Sequence, residues 1–268
     1  MATYTSSTAI GEREDLSDVI YRIDPDETPL VSNSQKETTK GIFHEGQVQE
    51  LAAAVDTNYV NEGADYSYAN PSPTTRLGNY HQISVQAASV SNTLDVVDKA
   101  GRDKETAYVK VLKGLEQRRD IEKSLFKNEA RSASDPRKAA KLITWITNVD
   151  KPSDMAAATG DGSDAADLTG TAAALTLAKI DAAMLAAYTD GGSPNMLLMS
   201  PTNKQNFSGL SSGSVATNQI TMTAPKEASI IGSVSSTGDA TKFAIVSEWT
   251  LIVKAPKAHA AVIGLNGS

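Results

Sequence analysis

The sequence predicts an α+β fold, and three stretches of the chain carry that prediction. Apolar side chains alternate along residues 83–88 and again along residues 243–253, which is the two-residue period of a β-strand. Between them, apolar residues recur at helical spacing over residues 102–128, which predicts a helix about 40 Å long. Strands therefore lie before and after a helical middle section.

The N-terminal segment combines a polar stretch with one short helix. Apolar residues recur at i, i+3, i+4 and i+7 from Leu16, which predicts an amphipathic helix over residues 14–23. Pro25 ends this helix, because the residue before a proline avoids the helical region of backbone space. Residues 4–10 are polar, and we interpret them as an arm.

A long hairpin is predicted next, with residues 36–51 and 76–93 as its two sides. Residues 52–75 between them lack an apolar period, and an ordered loop of this length is uncommon and often functional. The alternative is a tolerated insertion without a function. Tyrosine is enriched where proteins meet, and four of the eight tyrosines fall in or beside this loop: Tyr59, Tyr66, Tyr68 and Tyr80.

Charged residues interrupt the apolar stripe of the long helix at Arg118, Arg119 and Glu122. One interpretation is a solvated face, held by pairs at helical spacing such as Glu116 with Arg119 and Arg118 with Glu122. The other is an ionic contact to a neighbouring subunit.

Residues 176–208 follow a helix, strand, helix pattern. Thr176 is a suitable N-cap for a helix over residues 177–188, and Leu175 with Ile180 would form a hydrophobic staple. Residues 196–199 are a short apolar run that predicts a buried strand. Ser200 as an N-cap, followed by Pro201 at the first helical position, predicts the start of another helix. The stripe predicted to be buried on the first helix consists of Leu177, Ile180, Met184 and Tyr188.

Turn and loop signals divide the rest of the C-terminal half. Residues 150–172 and 209–226 are rich in small polar residues, which is typical of loops. Pro256 turns the chain, and residues 258–263 are expected to return beside the strand at 243–253 as a closing hairpin.

The composition excludes several classes of protein. The chain has 268 residues, a net charge of −7 and no cysteine, which excludes disulfide scaffolds, thiolate metal sites and cysteine nucleophiles. No run of about 18 apolar residues is present, and we expect neither a membrane span nor a signal peptide. The negative charge argues against sequence-specific nucleic-acid binding. Aromatic residues make up only 5%, so we expect part of the stability to come from contacts between copies.

No catalytic, metal or cofactor motif is complete. There is no P-loop, and the glycines at 160 and 162 lack the third glycine of a dinucleotide site. His44 with Glu45 is only half of a zinc motif, and the aspartates at 161, 164 and 167 do not have calcium-loop spacing. We therefore expect no cofactor and no metal. The missing motifs argue against an enzyme, although catalytic residues scattered along the sequence are still compatible with one, and a metal-independent hydrolase is the least favoured class.

Seven short segments resemble the major capsid proteins of tailed phages. They keep the order of that family over nearly the whole chain, and the first and the fourth are the most specific. The segments are residues 12–21 (EREDLSDVIY), 26–29 (DETP), 77–84 (LGNYHQIS), 98–102 (DKAGR), 237–239 (TGD), 248–251 (EWTL) and 257–259 (KAH).

The resemblance implies the Hong Kong 97-type capsid fold and a division of the chain into five parts. These are an N-terminal arm (1–35), an extended E-loop hairpin (36–93), a P domain (94–169) whose spine helix covers about 102–128, an A domain (170–235), and C-terminal strands that return to the P domain (236–268).

The resemblance also implies a function. The chain would be the major capsid protein that forms pentamers and hexamers of an icosahedral phage head, found in the virion and assembled in the host cytoplasm. Its partners would be copies of itself, portal and scaffolding proteins, and double-stranded DNA held without sequence-specific binding, with no membrane. The alternative is the shell of a cellular nanocompartment with the same fold.

Two expectations about contacts follow from this resemblance. Some shells of this fold join an E-loop lysine to an asparagine of a neighbour, but residues 41–98 contain no lysine, so we expect a non-covalent shell. The candidates for contacts between subunits are Tyr59, Tyr66, Tyr68, Arg76, Tyr80, Arg118, Arg119 and Glu122.

Overall fold

The computed structural model describes residues 27–210, 228–231, 235–236 and 239–266. The helix predicted over residues 14–23 lies outside these residues, as does most of the arm predicted over residues 1–35. The described chain combines helices and strands, which confirms the α+β prediction.

The elements of the described chain are numbered in order. The α-helices are α1 (Pro29–Asn33), α2 (Asn92–Val96), α3 (Glu105–Leu125), α4 (Leu177–Thr189) and α5 (Pro201–Leu210), and 3₁₀ helices cover Leu142–Trp145 and Pro256–Ala258. The strands are β1 (Phe43–Val48), β2 (Thr75–Tyr80), β3 (Gln82–Ser91), β4 (Asn148–Asp150), β5 (Ala228–Ile231), β6 (Ser235–Ser236), β7 (Ala240–Trp249) and β8 (Ala260–Val262).

The chain divides into two compact units. Among the described residues, the first unit contains Glu27 and those of Val85–Arg119 and Ile230–Val246. The second contains those of Thr28–Ser84, Asp120–Ser229 and Ser247–Ser268.

The first unit is a helix packed on one face of a sheet. The strand order of the sheet is β3–β7–β5, and β6 also pairs with β7. The Lys110 Nζ of α3 lies 5.5 Å from the centroid of the Phe243 ring. A Cβ atom on Gly114 would lie 4.0 Å from the Cδ1 of Ile245. Helix α3 therefore covers the face of β7 that carries Phe243 and Ile245.

The long helix predicted over residues 102–128 is confirmed, but it is three residues shorter at each end. The side chain of Asp95, in α2, caps the N-terminus of α3. Its carboxylate accepts a hydrogen bond from the Thr106 amide at 2.9 Å. This bond lowers the pKa of Asp95. Arg102 lies before the helix and pairs with Glu105 at 2.5 Å.

The second unit contains a core built around Trp145, Leu30 and Leu251, all almost completely buried. In a second cluster Ala158, Ala166 and Ile263 pack together. Residues 150–172 were predicted to be a loop, but part of this segment is packed in a hydrophobic cluster.

The predicted closing hairpin is wrong. Strand β8 pairs in parallel with β4, with Asn148 opposite Ala260 and Asp150 opposite Val262. In this position Val149 and Ala261 pack against the cluster that contains Ile263. Burial of these side chains between distant segments determines that β8 pairs with β4. No pattern in the local sequence of either strand predicts this pairing.

Helix α4 occupies the predicted range, but its buried stripe differs from the prediction. Ile180 is buried as expected, together with Ala183 and Ala187. Leu177 is exposed, and Tyr188 is 74% exposed. The helix is apolar on both faces, so apolar spacing alone did not identify the buried face.

The predicted caps of both C-terminal helices are confirmed. The Thr176 hydroxyl accepts from the Lys179 amide at 3.4 Å, and the Ser200 hydroxyl accepts from the Asn203 amide at 3.3 Å. Residues 196–199 pair with no described strand, so the strand predicted there is wrong. The loop predicted over residues 209–226 lies almost entirely outside the described residues.

Candidate functional site: an exposed hairpin and its buried root

The hairpin is a two-stranded antiparallel ribbon. Strand β1 pairs with β2 from Phe43 opposite Tyr80 to Val48 opposite Thr75. The Phe43 and Tyr80 rings lie with their centroids 4.6 Å apart. The predicted hairpin is thus confirmed for β1 and β2, but β3, which was expected to extend one side, pairs with β7 instead.

The loop at the end of the ribbon is fully open to solvent. Every residue from 49 to 76 is exposed, and Leu51 and Tyr68 are 98% and 93% exposed. The other large apolar side chains of this loop, also exposed, are Val55, Tyr59, Val60 and Tyr66. Such a density of uncovered apolar surface is typical of an interaction site.

A few local bonds shape the start of this loop. The Gln49 side-chain amide donates to the Ser72 carbonyl at 3.1 Å, and the Thr74 hydroxyl donates to the Gln47 side-chain oxygen at 3.1 Å. These bonds continue the ribbon for about one residue pair beyond the paired strands. Further along, Gly63 takes a positive φ of 78°, which glycine adopts without strain.

The root of the hairpin is held by Asn79, which is completely buried. Its side-chain amide donates to the carbonyls of Ala140 and Leu251, at 3.1 and 2.7 Å. Its side-chain oxygen accepts from the amides of Ala140 and Tyr80, at 2.8 and 2.9 Å. One side chain therefore joins the hairpin to two distant segments and satisfies their backbone groups.

Gly78 and Arg131 form the second part of the root. The Arg131 guanidinium donates to the carbonyls of Gly78 and Asp161, at 2.6 and 2.7 Å, and lies 5.8 Å from the Phe43 ring centroid. A Cβ atom at residue 78 would lie 2.5 Å from the Cζ of Phe43, so any larger residue would have to displace the Phe43 ring.

His81 joins the two sides of the hairpin at its root. Its Nδ1 lies 3.1 Å from the Ile42 carbonyl, which can only accept, so Nδ1 carries the proton. Its Nε2 lies 2.6 Å from the Thr39 hydroxyl. The ring therefore links β2 to the segment that leads into β1.

A buried lysine completes the root. The Lys141 ammonium donates to the side-chain oxygen of Gln82 at 2.5 Å and lies 4.8 Å from the Trp249 ring centroid. Burial lowers the pKa of Lys141 to about 8, against the opposing influence of Glu129. The Trp249 indole in turn donates to the Ser84 hydroxyl at 2.9 Å.

Two lysines near the C-terminus contact the same region from outside. Lys257 pairs with Glu50 at 2.7 Å, a bond that raises the pKa of Lys257. Lys254 pairs with Glu37, and this bond lowers the pKa of Glu37. Both pairs are exposed and stabilise the hairpin only weakly.

The predicted contact residues of the hairpin occupy different environments. Tyr59, Tyr66 and Tyr68 are exposed. Arg76 is also exposed and forms an ion pair with Glu45 on the opposite strand. Tyr80 is half-buried at the root, so it belongs to the support of the hairpin.

The predicted contact residues of α3 do not act as one group. Arg118 is half-buried and Arg119 is exposed. The carboxylate of Glu122 is buried and accepts from the amides of Leu30 and Val31, both at 2.8 Å. Glu122 therefore anchors α1 within the chain, and its contact with another subunit stays a prediction.

Sequence reasoning missed the roles of Asn79, Arg131 and Lys141. Asn79 and Gln82 lie in the segment that resembles capsid proteins, which was the only signal for them. Arg131 and Lys141 are 53 and 59 residues from their hairpin partners, so no local pattern connects them.

The described residues contain no group of three histidine, aspartate or glutamate side chains placed to hold a metal ion. None of their helices has both the length and the apolar character needed to cross a bilayer.

Solved structures share this arrangement over almost their whole length. A chain from Mycobacterium phage Adephagia superposes with a TM-score of 0.61 at 11% identity, covering 93% of this chain and 92% of that one. The capsid asymmetric unit of cyanophage A-1(L) gives a TM-score of 0.60 at 10% identity, covering 97% and 98%. The fold is therefore of the Hong Kong 97 capsid type.

At the level of sequence, the family model of the SU10 major capsid protein matches residues 2–234. The chain therefore belongs to this family, which consists of structural capsid proteins and not of enzymes. The major capsid protein of Escherichia phage Phieco32 is 30% identical over 122 residues, 46% of this chain. That match spans 35%, about a third, of the curated relative. Together the matches favour a phage capsid over a cellular nanocompartment.

Replacing Asn79 by alanine should strongly destabilise the subunit. The change leaves the Ala140 amide and the Ala140 and Leu251 carbonyls buried without their partner, and each unsatisfied group costs about 1–3 kcal/mol. We expect urea unfolding of the unassembled subunit to show a loss of about 3 kcal/mol or more. Asn61→Ala, in the exposed loop, is the matched control and should change stability by less than about 0.5 kcal/mol. Equal effects of both changes would contradict the assigned role.

Replacing Lys141 by methionine should change how stability depends on pH. Between pH 8 and 10.5 the unfolded chain keeps a proton on Lys141 that the folded chain has lost, so this residue makes stability rise with pH. Unfolding midpoints in urea at pH 7 to 10 should show a smaller rise for Lys141→Met than for the unchanged protein. The exposed Lys40→Met should retain the full rise, and a Lys141→Met slope equal to that of the control would refute the effect.

Proposed function

We propose that this protein builds the icosahedral head of a tailed phage by self-association, with the hairpin loop of each copy packed on a neighbour. Membership of a major capsid family supports shell formation. The single observation that carries the proposed contact is the uninterrupted exposure of residues 49–76, with their large apolar side chains, on a root that is hydrogen-bonded throughout.

The energetics of the loop suit assembly through many modest contacts. A large apolar side chain contributes about 1.5–3 kcal/mol when it is fully buried. Fixing a backbone residue costs about 1–2 kcal/mol, so ordering the loop offsets much of this gain. Each contact between copies is therefore weak by itself. A closed shell contains many such contacts, and their free energies add together.

The division into domains is part of this proposal. Residues 36–93 would be the E-loop with its root, and α3 would be the spine helix of a P domain over residues 94–169. Residues 170–235, which include α4 and α5, would be the A domain around which pentamers and hexamers form. The arm (1–35) would overlap neighbouring subunits, and residues 236–268 would return to the P domain.

The remaining partners are proposed on chemical grounds. A chain with a net charge of −7 suits a wall that encloses DNA without gripping its phosphates. Portal and scaffolding proteins would complete assembly in the host cytoplasm. Arg118 and Arg119 remain candidates for ionic contacts with another copy.

Deleting most of the loop should separate folding from assembly. Replacing residues 52–73 with a short glycine–serine turn leaves β1, β2 and the root intact, so we expect the unchanged helical signal in circular dichroism. The variant should fail to form closed particles in electron microscopy and should elute as small species in size-exclusion chromatography. As a matched pair, Tyr59, Tyr66 and Tyr68 can be changed together to serine or to phenylalanine. The serine variant should assemble poorly and the phenylalanine variant should assemble well. Normal particles from the deletion variant would contradict the proposed contact.

Mature particles should be held together without covalent links between subunits. A neutral lysine amine at the loop would be needed to form an isopeptide bond, and residues 41–98 contain no lysine. Particles boiled in detergent should give one band near 28.2 kDa on a denaturing gel. A ladder of linked oligomers would contradict the prediction.

A further inference from the structure

The part of α3 that lies in the first unit buries none of its apolar side chains. Among residues 105–119, only Glu105 and Gln117 are buried. The side chain of Val111 is 62% exposed. A helix on the surface of a folded domain normally buries an apolar stripe, so the apolar residues of this part of α3 lack full cover.

These apolar residues form a stripe that points away from the sheet. The side of α3 that faces the sheet carries Lys110, over the Phe243 ring, and Gly114, next to Ile245. At 100° per residue, the stripe lies about 130° around the helix axis from these two positions. It has the spacing i, i+3, i+4 and i+7, and its members, none of them buried, are Tyr108, Val111, Leu112 and Leu115, which we call the α3 stripe.

The sequence contains a matching stripe before the described residues. Residues 14–23 are predicted to form an amphipathic helix, with its apolar residues also at i, i+3, i+4 and i+7. A helix this short is not stable alone in water, so it needs a surface on which to bury that stripe. Both stripes extend about 10 Å along a helix. The apolar residues of the segment are Leu16, Val19, Ile20 and Ile23.

The start of the described chain lies within reach of the α3 stripe. Glu27 belongs to the first unit, which also contains residues 105–119 of α3. The Leu30 amide is bonded to Glu122, which follows Leu115 by seven helical residues, or about 10 Å. The seven residues from Ile23 to Leu30 can span about 23 Å. Ile23 can therefore lie beside Leu115.

Charge favours one orientation of the segment on α3. Four of the residues from 12 to 18 are acidic and one is basic. Near the start of the α3 stripe, Lys104 and Lys110 are exposed, and Asp103 is the one exposed acidic residue between positions 100 and 115. The acidic start of the segment therefore complements the start of the stripe, which favours a parallel arrangement.

We infer that residues 14–23 dock as a helix on the α3 stripe of their own chain, with Leu16 beside Tyr108 and Ile23 beside Leu115. The inference goes beyond the proposed function, because both partners belong to one chain and no shell is required. The docked helix completes the cover of α3 on the side away from the sheet. Of the arm, residues 4–10 are then left to reach a neighbour.

The absence of cysteine from the chain permits a direct test by disulfide formation in the unassembled subunit. A disulfide requires Cα atoms about 4.4–6.8 Å apart. The test variant combines Val19→Cys with Val111→Cys, and the matched control combines Ser17→Cys with Val111→Cys. Ser17 has almost the same tether to the fold but lies about 160° from Val19 around the predicted helix.

The variants are oxidised mildly at high dilution, quenched with an alkylating agent and separated on a non-reducing gel. We expect the test variant to form the faster-migrating, internally linked monomer several-fold faster than the control. A second pair, Ile20→Cys with Leu112→Cys, should behave in the same way against Ser17→Cys with Leu112→Cys. This second pair keeps the test valid if Val111→Cys disturbs folding.

Two results would overturn the inference. Equal rates for the test and control variants would show that the tether alone brings the cysteines together. The second result comes from mixing copies that carry Val19→Cys alone with copies that carry Val111→Cys alone. Linked dimers from this mixture, without the internal link in the double variant, would place the segment on another copy. Neither result bears on the proposed function, which concerns the hairpin loop and is tested by particle formation.

Discussion

The hydrogen bonds of the buried Asn79 are the constraint on which the exposed hairpin depends. A two-stranded ribbon is at best marginally stable in water, and this one carries 28 consecutive exposed residues. Within it the Phe43 and Tyr80 rings pack together, and Leu77 and Val48 pack against the core of the second unit. The bonds from Asn79 to Ala140 and Leu251 attach it to a core that is already stable. The hairpin is therefore presented as a fixed element of the free subunit.

The same constraint explains how the chain distributes its few aromatic residues. The two tryptophans are buried in the second unit, and Trp249 lies over Lys141 beside the hairpin root. Three tyrosines, by contrast, lie on the loop and face water. Large apolar groups thus stabilise the root within the chain, whereas those of the loop stay exposed in the single chain and, under the proposed function, become buried against a neighbouring copy. A subunit of this kind gains part of its stability only after assembly.

The sequence could predict the elements whose signals are local. The spacing of α3, the caps of α4 and α5, and the alternation of β7 each depend on residues a few positions apart. The parallel pairing of β8 with β4 and the exposed Tyr188 of α4 could not be predicted, because they depend on which distant surfaces pack together. The same holds for the site: the loop and its tyrosines were predictable, but the partners of Asn79 and Lys141 were not.

Charge is unevenly distributed in this chain, and that bears on how identical copies attract one another. A net charge of −7 makes copies repel at long range. The hairpin loop contributes to this charge, because residues 49–75 contain four acidic residues and no lysine or arginine. Screening by salt weakens the net repulsion, whereas apolar contact is little affected. Under the proposed function, attraction between copies therefore depends on burial of the apolar side chains that the loop exposes in the single chain.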